Sequence, residues 1–163
     1  MPLEDKIIAG QRLTPDEAMS LWEQDILTLG RWANFSRRRR HPEVRVTYVV
    51  DRNINYTNIC LSGCRFCAFF RPPGHVEGYV LAWEELAQKL EETITLGGTG
   101  ILLQGGLNPD LPLSYYEELV SFIRRTGLQV HGFSPPEIVF FAKTFHLTIT
   151  EVIEHLIAAG LSS

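Results

Sequence analysis

The sequence has few cysteines, no long apolar run and no excess of positive charge. Lys and Arg number 15 against 19 Asp and Glu, a net charge of −4 that gives no electrostatic basis for binding nucleic acid. No run of about 18 apolar residues is present, so no membrane-spanning helix is expected. Residues 1–6 lack the basic-then-apolar pattern of a signal peptide. With thiols expected to be reduced, these absences favour a cytoplasmic protein that binds neither membrane nor nucleic acid.

All three cysteines lie in one short stretch: Cys60, Cys64 and Cys67. Their spacing is C-x3-C-x2-C, and Phe66 stands directly before the last of them. Irons of iron–sulfur clusters are held by Cys thiolates, so this loop can ligate three irons of a cubic 4Fe-4S cluster. Because the chain offers no fourth cysteine, one iron would stay open to a ligand other than protein, as catalytic metal sites keep a vacant position.

Three other interpretations of the cysteines are a partial zinc site, a disulfide with a spare thiol, and chance. A zinc site needs a fourth ligand at finger-like spacing, and the nearest histidine, His75, lies outside the motif. A disulfide would leave one thiol unpaired in a chain that nothing marks as secreted. The spacing, the aromatic residue and the cysteine count together favour the open cluster.

The rest of the chain alternates predicted strands and helices. An N-terminal helical region, 1–43, precedes an α/β region, 44–163. Alternation of this kind predicts parallel strands with right-handed crossovers. Strands are expected over 44–50, 54–59, 100–103 and 128–133, with 51–53 as a break, and helices over 4–40, 83–96, 113–126, from 134 and from 148 or 150.

Three loops each follow a predicted strand: the cysteine loop, the turn at Gly105 and Gly106, and the junction from Ser134 to Glu137. Since the carboxyl ends of parallel strands meet at one edge of a sheet, these loops are expected to converge. Glycine lacks the side chain that would keep a ligand from the backbone. Ser134 and Glu137 bring a hydroxyl and a carboxylate, and their spacing also fits a helix capping box.

Candidate catalytic residues are His75 and Glu77, which follow the cysteine loop, and His131, which lies within the last predicted strand. Side chains of these types accept and donate protons during catalysis. A packing or surface role is the alternative for each, and the sequence does not choose between them.

The cysteine motif with Phe66 resembles that of the radical S-adenosylmethionine (SAM) enzymes. In that family the open iron binds SAM, and an electron from the reduced cluster releases a 5'-deoxyadenosyl radical. The resemblance implies the first part of a (β/α) TIM-type barrel with N-terminal helices, a 4Fe-4S cluster and SAM as cofactors, and an electron donor such as flavodoxin or ferredoxin. It further implies that the cofactor is contacted near Phe66 and at Gly105 and Gly106. Gln104, Ser134 and Glu137, in the loops beside them, are further candidates for binding it.

Three longer blocks, residues 51–69, 102–112 and 131–138, together resemble the family of cyclic dehypoxanthinyl futalosine synthases. The resemblance implies cyclisation of dehypoxanthine futalosine, a nucleoside-type substrate, on the futalosine route to menaquinone. Aminofutalosine synthase and the enzymes that build the deazaflavin chromophore are alternatives within the same family. A non-catalytic iron–sulfur or zinc-binding module is the alternative from another class.

Length is where the chain departs from that family. Its members are about twice as long, and a complete barrel needs roughly 200 residues or more. The sequence is therefore expected to be the amino-terminal part of the enzyme, as a fragment, a split gene product or a truncation. In the second case a partner chain would carry the remaining strands, and little activity is expected from this chain alone.

Overall fold

The computed structural model describes every residue, Met1–Ser163. It divides into two compact units, residues 1–47 and 48–163. The end of the helical region is predicted from the sequence at residue 43. None of the helices has the length and apolar content that a membrane crossing needs.

The first unit consists of helices α1 (Leu3–Ala9), α2 (Pro15–Met19) and α3 (Ile26–Arg40), with a 3-10 turn at Ser20–Glu23. Thr14 and Glu17 form a capping box at the start of α2, where the Thr14 N–H donates to the Glu17 carboxylate at 2.9 Å. Trp32 of α3 is the buried residue of this unit, and its indole N–H donates to Glu4 at 3.0 Å. Four arginines, residues 37–40, form the last turn of α3, where positive charge faces the negative end of the helix dipole.

The strand predicted over 44–50 is wrong. These residues form no strand, and all are exposed, with Val44 fully so. Only Val50 forms backbone hydrogen bonds: its carbonyl accepts the Thr99 N–H at 2.8 Å, and its N–H donates to the Thr99 hydroxyl at 3.2 Å. β-branched residues favour extended backbone, but a strand also needs partners for its N–H and C=O groups, and residues 44–49 have none.

The second unit is built on a three-stranded parallel sheet in the order β1-β2-β3. The strands are β1 (Asp51–Asn55), β2 (Gly100–Gln104) and β3 (Gln129–Gly132). The helices are α4 (Trp83–Thr95), α5 (Leu113–Arg124), α6 (Pro135–Phe145) and α7 (Ile149–Ala159). The alternation of strand and helix confirms the predicted α/β class with parallel pairing.

Strand β1 begins earlier than predicted. Asp51–Asn53, expected to be a break, pairs in register with Gly100–Leu102 of β2, and regular pairing ends at Asn55. The backbone partner on β2 therefore outweighs the low strand preference of Asp and Asn, which the sheet edge tolerates because one side stays exposed.

The two faces of the sheet differ in what covers them. Ile54, Ile101, Leu103 and Val130 are buried against the helices, in a core that includes Leu86 and Leu90 of α4, Tyr116, Leu119 and Ile123 of α5, Phe141 of α6 and Leu156 of α7. Because side chains alternate along a strand, the residues between them face the other way. That second face carries polar and half-exposed groups: Asn53, Asn55, Leu102, Gln104 and His131.

The last two residues lie alongside β3. The Ser162 N–H donates to the Val130 carbonyl at 2.9 Å, and the Gly132 N–H donates to the Ser163 carbonyl at 2.9 Å. This pairing follows α7 and brings the chain back alongside β3, although residues 161–163 form no strand. The sheet thus shows the start of a barrel-like succession of parallel strands.

Candidate functional site

A cavity of about 670 Å³ lies at the carboxyl ends of the three strands. The three loops that the sequence analysis expected to converge all line it. Of the predicted site residues, all but His75 and Glu77 contribute to its wall: Cys60, Cys64, Phe66, Cys67, Gln104, Gly105, Gly106, His131, Ser134 and Glu137.

The three cysteines are free thiols with unequal surroundings. Cys60 is half-buried, and its sulfur accepts N–H groups from Ser62 at 3.3 Å and Leu107 at 3.2 Å. Cys64 and Cys67 are exposed, and the Ser62 hydroxyl lies 3.1 Å from the Cys64 sulfur. Cys60 is therefore held in place, whereas the other two lie on the open side of the loop.

The donor set fits an iron–sulfur cluster. No three His, Cys, Asp or Glu side chains are close enough together to hold a single metal ion. The three sulfurs nevertheless border one cavity, and thiolates are the ligands that cluster irons take. The N–H groups aimed at the Cys60 sulfur are of the kind that surround cluster ligands and tune the cluster's potential. Cys60, Cys64 and Cys67 are thus the residues that would hold the cluster.

Other residues of the chain pack closely against the Gly105-Gly106 turn, at the positions that a Cβ atom would occupy. A Cβ on Gly105 would overlap the Tyr56 ring, lying 2.6 Å from its Cε2 atom. A Cβ on Gly106 would overlap the Ile59 carbonyl and lie 2.8 Å from the Cys60 Cβ. The missing side chains let the turn pack against Tyr56, which follows β1, and against the cysteine loop. That a ligand approaches the backbone of these glycines stays a prediction.

Other groups of this turn are partly engaged. The Gly106 carbonyl accepts the Asn108 N–H at 2.9 Å, and the Gln104 side chain accepts from the Asn53 amide at 3.3 Å. A carbonyl oxygen has two lone pairs, so the Gly106 carbonyl can accept a second donor. The turn therefore remains able to receive an ammonium group.

Glu137 is 5% exposed, and both of its carboxylate oxygens have protein partners. One accepts the Tyr56 hydroxyl at 2.8 Å, and the other accepts the Ser134 N–H and hydroxyl, each at 2.7 Å. The contacts to Ser134 are those of the helix-capping alternative weighed in the sequence analysis. Glu137 thus holds the α6 start at the cavity wall, and little of its carboxylate faces a ligand.

Tyr56 contributes to the cavity wall through Glu137, although no sequence pattern predicts it. It is fully buried, and its ring packs edge-on against Tyr116 and Phe133, with centroids 5.9 and 6.1 Å away. Burial raises the pKa of Tyr56 well above its usual value, and the negative charge of Glu137 raises it further. The hydroxyl therefore stays protonated and donates. No local signal identifies it, since its partner Glu137 is 81 residues away.

Of the three candidate catalytic residues, only His131 faces the cavity. Its Nδ1 atom hydrogen-bonds the Ser163 hydroxyl.

His75 is exposed and its Nδ1 accepts the Glu77 N–H at 3.1 Å. Glu77 pairs with Arg71 at 2.6 Å, a hydrogen bond and ion pair that hold the pKa of its carboxyl below the usual value. Phe66 borders the cavity but is 92% exposed.

The fold and the cavity together define an α/β protein with a parallel sheet and a three-cysteine site at the strand carboxyl ends. The sequence model of the Radical SAM superfamily matches residues 54–163, and the chain belongs to that superfamily. This confirms the resemblance inferred from the cysteine motif.

Two curated relatives cover nearly the whole chain. The chain is 44% identical over 162 residues to a cyclic dehypoxanthine futalosine synthase of Halalkalibacterium halodurans. The alignment covers 98% of this chain and 44% of that protein. The chain is also 39% identical over 168 residues to a 5-amino-6-(D-ribitylamino)uracil–L-tyrosine 4-hydroxyphenyl transferase of a Cyanothece strain. That alignment covers 97% of this chain and 44% of the transferase. The chain thus spans less than half the length of these relatives.

Among solved structures, methylornithine synthase superimposes with a TM-score of 0.60 at 17% identity, over 98% of this chain and 57% of that one. At this identity the likeness concerns the fold alone. It confirms the predicted class, an incomplete β/α barrel.

Proposed function

We propose that the chain is part of a radical SAM enzyme that cyclises dehypoxanthine futalosine in menaquinone biosynthesis. The observation that carries this proposal is the 44% identity to a cyclic dehypoxanthine futalosine synthase along 98% of the chain. The cavity lined by all three cysteines supports it from the side of the chemistry. Because the chain spans 44% of that relative, the activity belongs to an enzyme that includes the remaining strands.

In this proposal each part of the cavity has a role. Cys60, Cys64 and Cys67 hold the cluster, which together with SAM supplies a carbon radical able to abstract hydrogen. The turn from Gln104 to Gly106 receives the amino group of SAM. Apolar groups of the wall would exclude water from the reacting atoms once the cofactors and the remaining strands cover them: Phe66, Phe69, Phe70, Leu102 and Phe133.

His131 is the proposed proton acceptor. Ring closure on an aromatic group ends with the loss of a proton, which needs a base nearby. His131 lies on the sheet face that borders the cavity, and its Nδ1 contact with Ser163 fixes the orientation of the ring. In this proposal the other ring nitrogen, Nε2, takes the proton, with Nδ1–H donating to the Ser163 hydroxyl.

A second candidate function is transfer of a 4-hydroxyphenyl group from tyrosine, favoured by the 39% identity to the Cyanothece transferase. Both candidates need the same cluster and differ in substrate. Separating them requires the chain in a complete barrel, for example continued with the carboxyl-terminal part of the Halalkalibacterium halodurans relative.

The test incubates that protein, anaerobically reconstituted and reduced, with SAM and one of two substrate sets. One is dehypoxanthine futalosine, and the other is tyrosine with 5-amino-6-(D-ribitylamino)uracil. A cyclised product from the first set alone supports the proposal, whereas 5'-deoxyadenosine without that product overturns it. Transfer of the hydroxyphenyl group establishes the second candidate instead.

Metal analysis tests the alternative that the chain is a non-catalytic metal-binding module. About four irons with equal sulfide per chain agree with the radical enzyme. One zinc per chain would instead indicate a zinc-binding module. Cys64→Ala is expected to abolish iron uptake in the first case.

A further inference from the structure

Cys60 connects two loops that are far apart in sequence. Of the two N–H groups that donate to its sulfur, one belongs to Ser62 within the cysteine loop, at 3.3 Å. The other belongs to Leu107, 47 residues further along the chain, in the segment that follows β2, at 3.2 Å. Among the three cysteines, Cys60 is the one whose sulfur receives an N–H from outside the cysteine loop.

Two further features fix the position of the Leu107 N–H. The Leu61 N–H donates to the Leu107 carbonyl at 3.0 Å, so Leu107 bonds to the cysteine loop through both its backbone groups. The preceding residue, Gly106, packs so closely that a Cβ there would lie 2.8 Å from the Cys60 Cβ. The Leu107 N–H is therefore held against the Cys60 sulfur by the backbone around it.

Hydrogen bonds to cluster sulfurs are among the factors that set a cluster's reduction potential. Reduction adds negative charge, part of which lies on the ligand sulfurs, and an N–H directed at a sulfur stabilises that charge. We propose that the Leu107 main-chain N–H, by donating to the Cys60 sulfur, raises the reduction potential of the cluster. This rests on the proposed function, because it requires that the three cysteines hold the cluster.

Among the natural amino acids only proline lacks a backbone N–H, so a proline at position 107 tests the role of this donor directly. Leu107→Pro removes the donor, and the matched control Leu107→Ala removes the side chain but keeps the donor. Each protein is reconstituted anaerobically, and its midpoint potential is measured by a redox titration followed by electron paramagnetic resonance. We expect the potential of Leu107→Pro to be more negative than that of the unchanged chain, with Leu107→Ala unchanged. Equal potentials for the proline and alanine variants overturn the inference.

A second measurement serves if the proline variant holds no cluster. The protein is labelled with ¹⁵N-leucine, and pulsed electron paramagnetic resonance detects ¹⁵N nuclei coupled to the reduced cluster. Leu107→Ala carries unlabelled nitrogen at residue 107, while Leu61 remains labelled. A coupling that disappears in Leu107→Ala supports the hydrogen bond to Cys60, and an identical spectrum in the two proteins overturns it.

The two proposals fail in different ways. If the unchanged chain takes up no iron and sulfide, the proposed function is overturned and the inference with it. If it takes up a normal cluster whose potential and ¹⁵N couplings do not depend on residue 107, the inference alone is overturned.

Discussion

The Tyr56 hydroxyl links two walls of the cavity through one side chain. It donates to Glu137 at the start of α6, while the Tyr56 ring occupies the space beside Gly105. Neither contact is with a residue proposed to react. Tyr56 therefore acts through others, by keeping the glycine turn and the α6 start in place.

The first prediction concerns that hydroxyl. Tyr56→Phe keeps the ring and leaves one buried oxygen of Glu137 without its donor, which is expected to cost about 1–3 kcal/mol in the free energy of unfolding. The measurement is urea unfolding followed by circular dichroism. Tyr48→Phe is the matched control: Tyr48 is 84% exposed, so a change within about 0.5 kcal/mol is expected. Equal effects of the two substitutions would contradict the role of the buried bond.

The second prediction concerns Gly106. Gly106→Ala places a Cβ against the Ile59 carbonyl and Cys60, so the turn must move away from the cysteine loop. We expect lower iron and sulfide uptake per chain and a lower melting temperature. In the control Gly30→Ala the new Cβ has no atom within 4 Å and lies within α3, so stability is expected to hold or rise and metal uptake to stay unchanged. Normal metal uptake by Gly106→Ala would contradict the close packing.

At the scale of single elements, the sequence predicted best where the signal was local. The start of α7 was predicted at residue 148 or 150, and its cap is Thr148; this signal is local because a cap acts within three residues of itself. The strand at 44–50 and the bounds of β1 were wrong, since pairing depends on which distant segment offers its backbone. The convergence of three loops was predicted from topology, whereas the Tyr56–Glu137 bond was not, because no local pattern encodes it.

The third prediction tests one such cap, that of helix α7, which packs on α5 and α6. The Thr148 hydroxyl accepts the Glu151 N–H at 3.2 Å, and the Glu151 carboxylate accepts the Thr148 N–H at 2.7 Å. Thr148→Ala removes the first bond and also the bond that the same hydroxyl donates to the Glu151 carboxylate at 2.8 Å. The loss is expected to cost about 1 kcal/mol in the free energy of unfolding, measured in urea at pH 7. Thr95→Ala is the comparison, because Thr95 is the last residue of helix α4 and belongs to no capping box. A smaller loss in the free energy of unfolding is expected for it.

The same cap predicts a pH dependence. Its hydrogen bonds from the Thr148 backbone and hydroxyl hold the pKa of Glu151 below its usual 4.5. Since the folded-state pKa is the lower one, this contribution is complete above about pH 4.5 and is lost as the pH falls through the folded-state value. Unfolding curves from pH 7 to pH 3 should therefore converge for the unchanged chain and Glu151→Gln. A constant difference between the two over that range would contradict the assignment.

At the scale of the whole molecule, the second unit leaves two regions accessible: the cysteine loop and the sheet face opposite the helices. In the loop, Leu61, Phe66 and Phe69 are exposed apolar side chains. A cluster held by the three thiolates would fix three points of the loop at once and cover part of these apolar groups. The cysteine loop is therefore the part of the molecule whose accessibility depends most on the cluster.

Limited proteolysis tests this dependence within one molecule. Arg65 lies in the exposed cysteine loop, and Arg45 lies in the exposed segment 44–50, with 77% of its side chain accessible. Trypsin is expected to cut after both in the metal-free chain. Reconstitution with iron and sulfide should slow cleavage after Arg65 by tenfold or more. Trypsin cuts the transiently opened loop, and raising the free energy of loop opening by about 1.4 kcal/mol lowers the population of the open form tenfold. Cleavage after Arg45 should not change, and mass spectrometry of the fragments distinguishes the two. Equal protection of both sites would indicate a global effect, and no protection of Arg65 would mean that the cluster is not held by this loop.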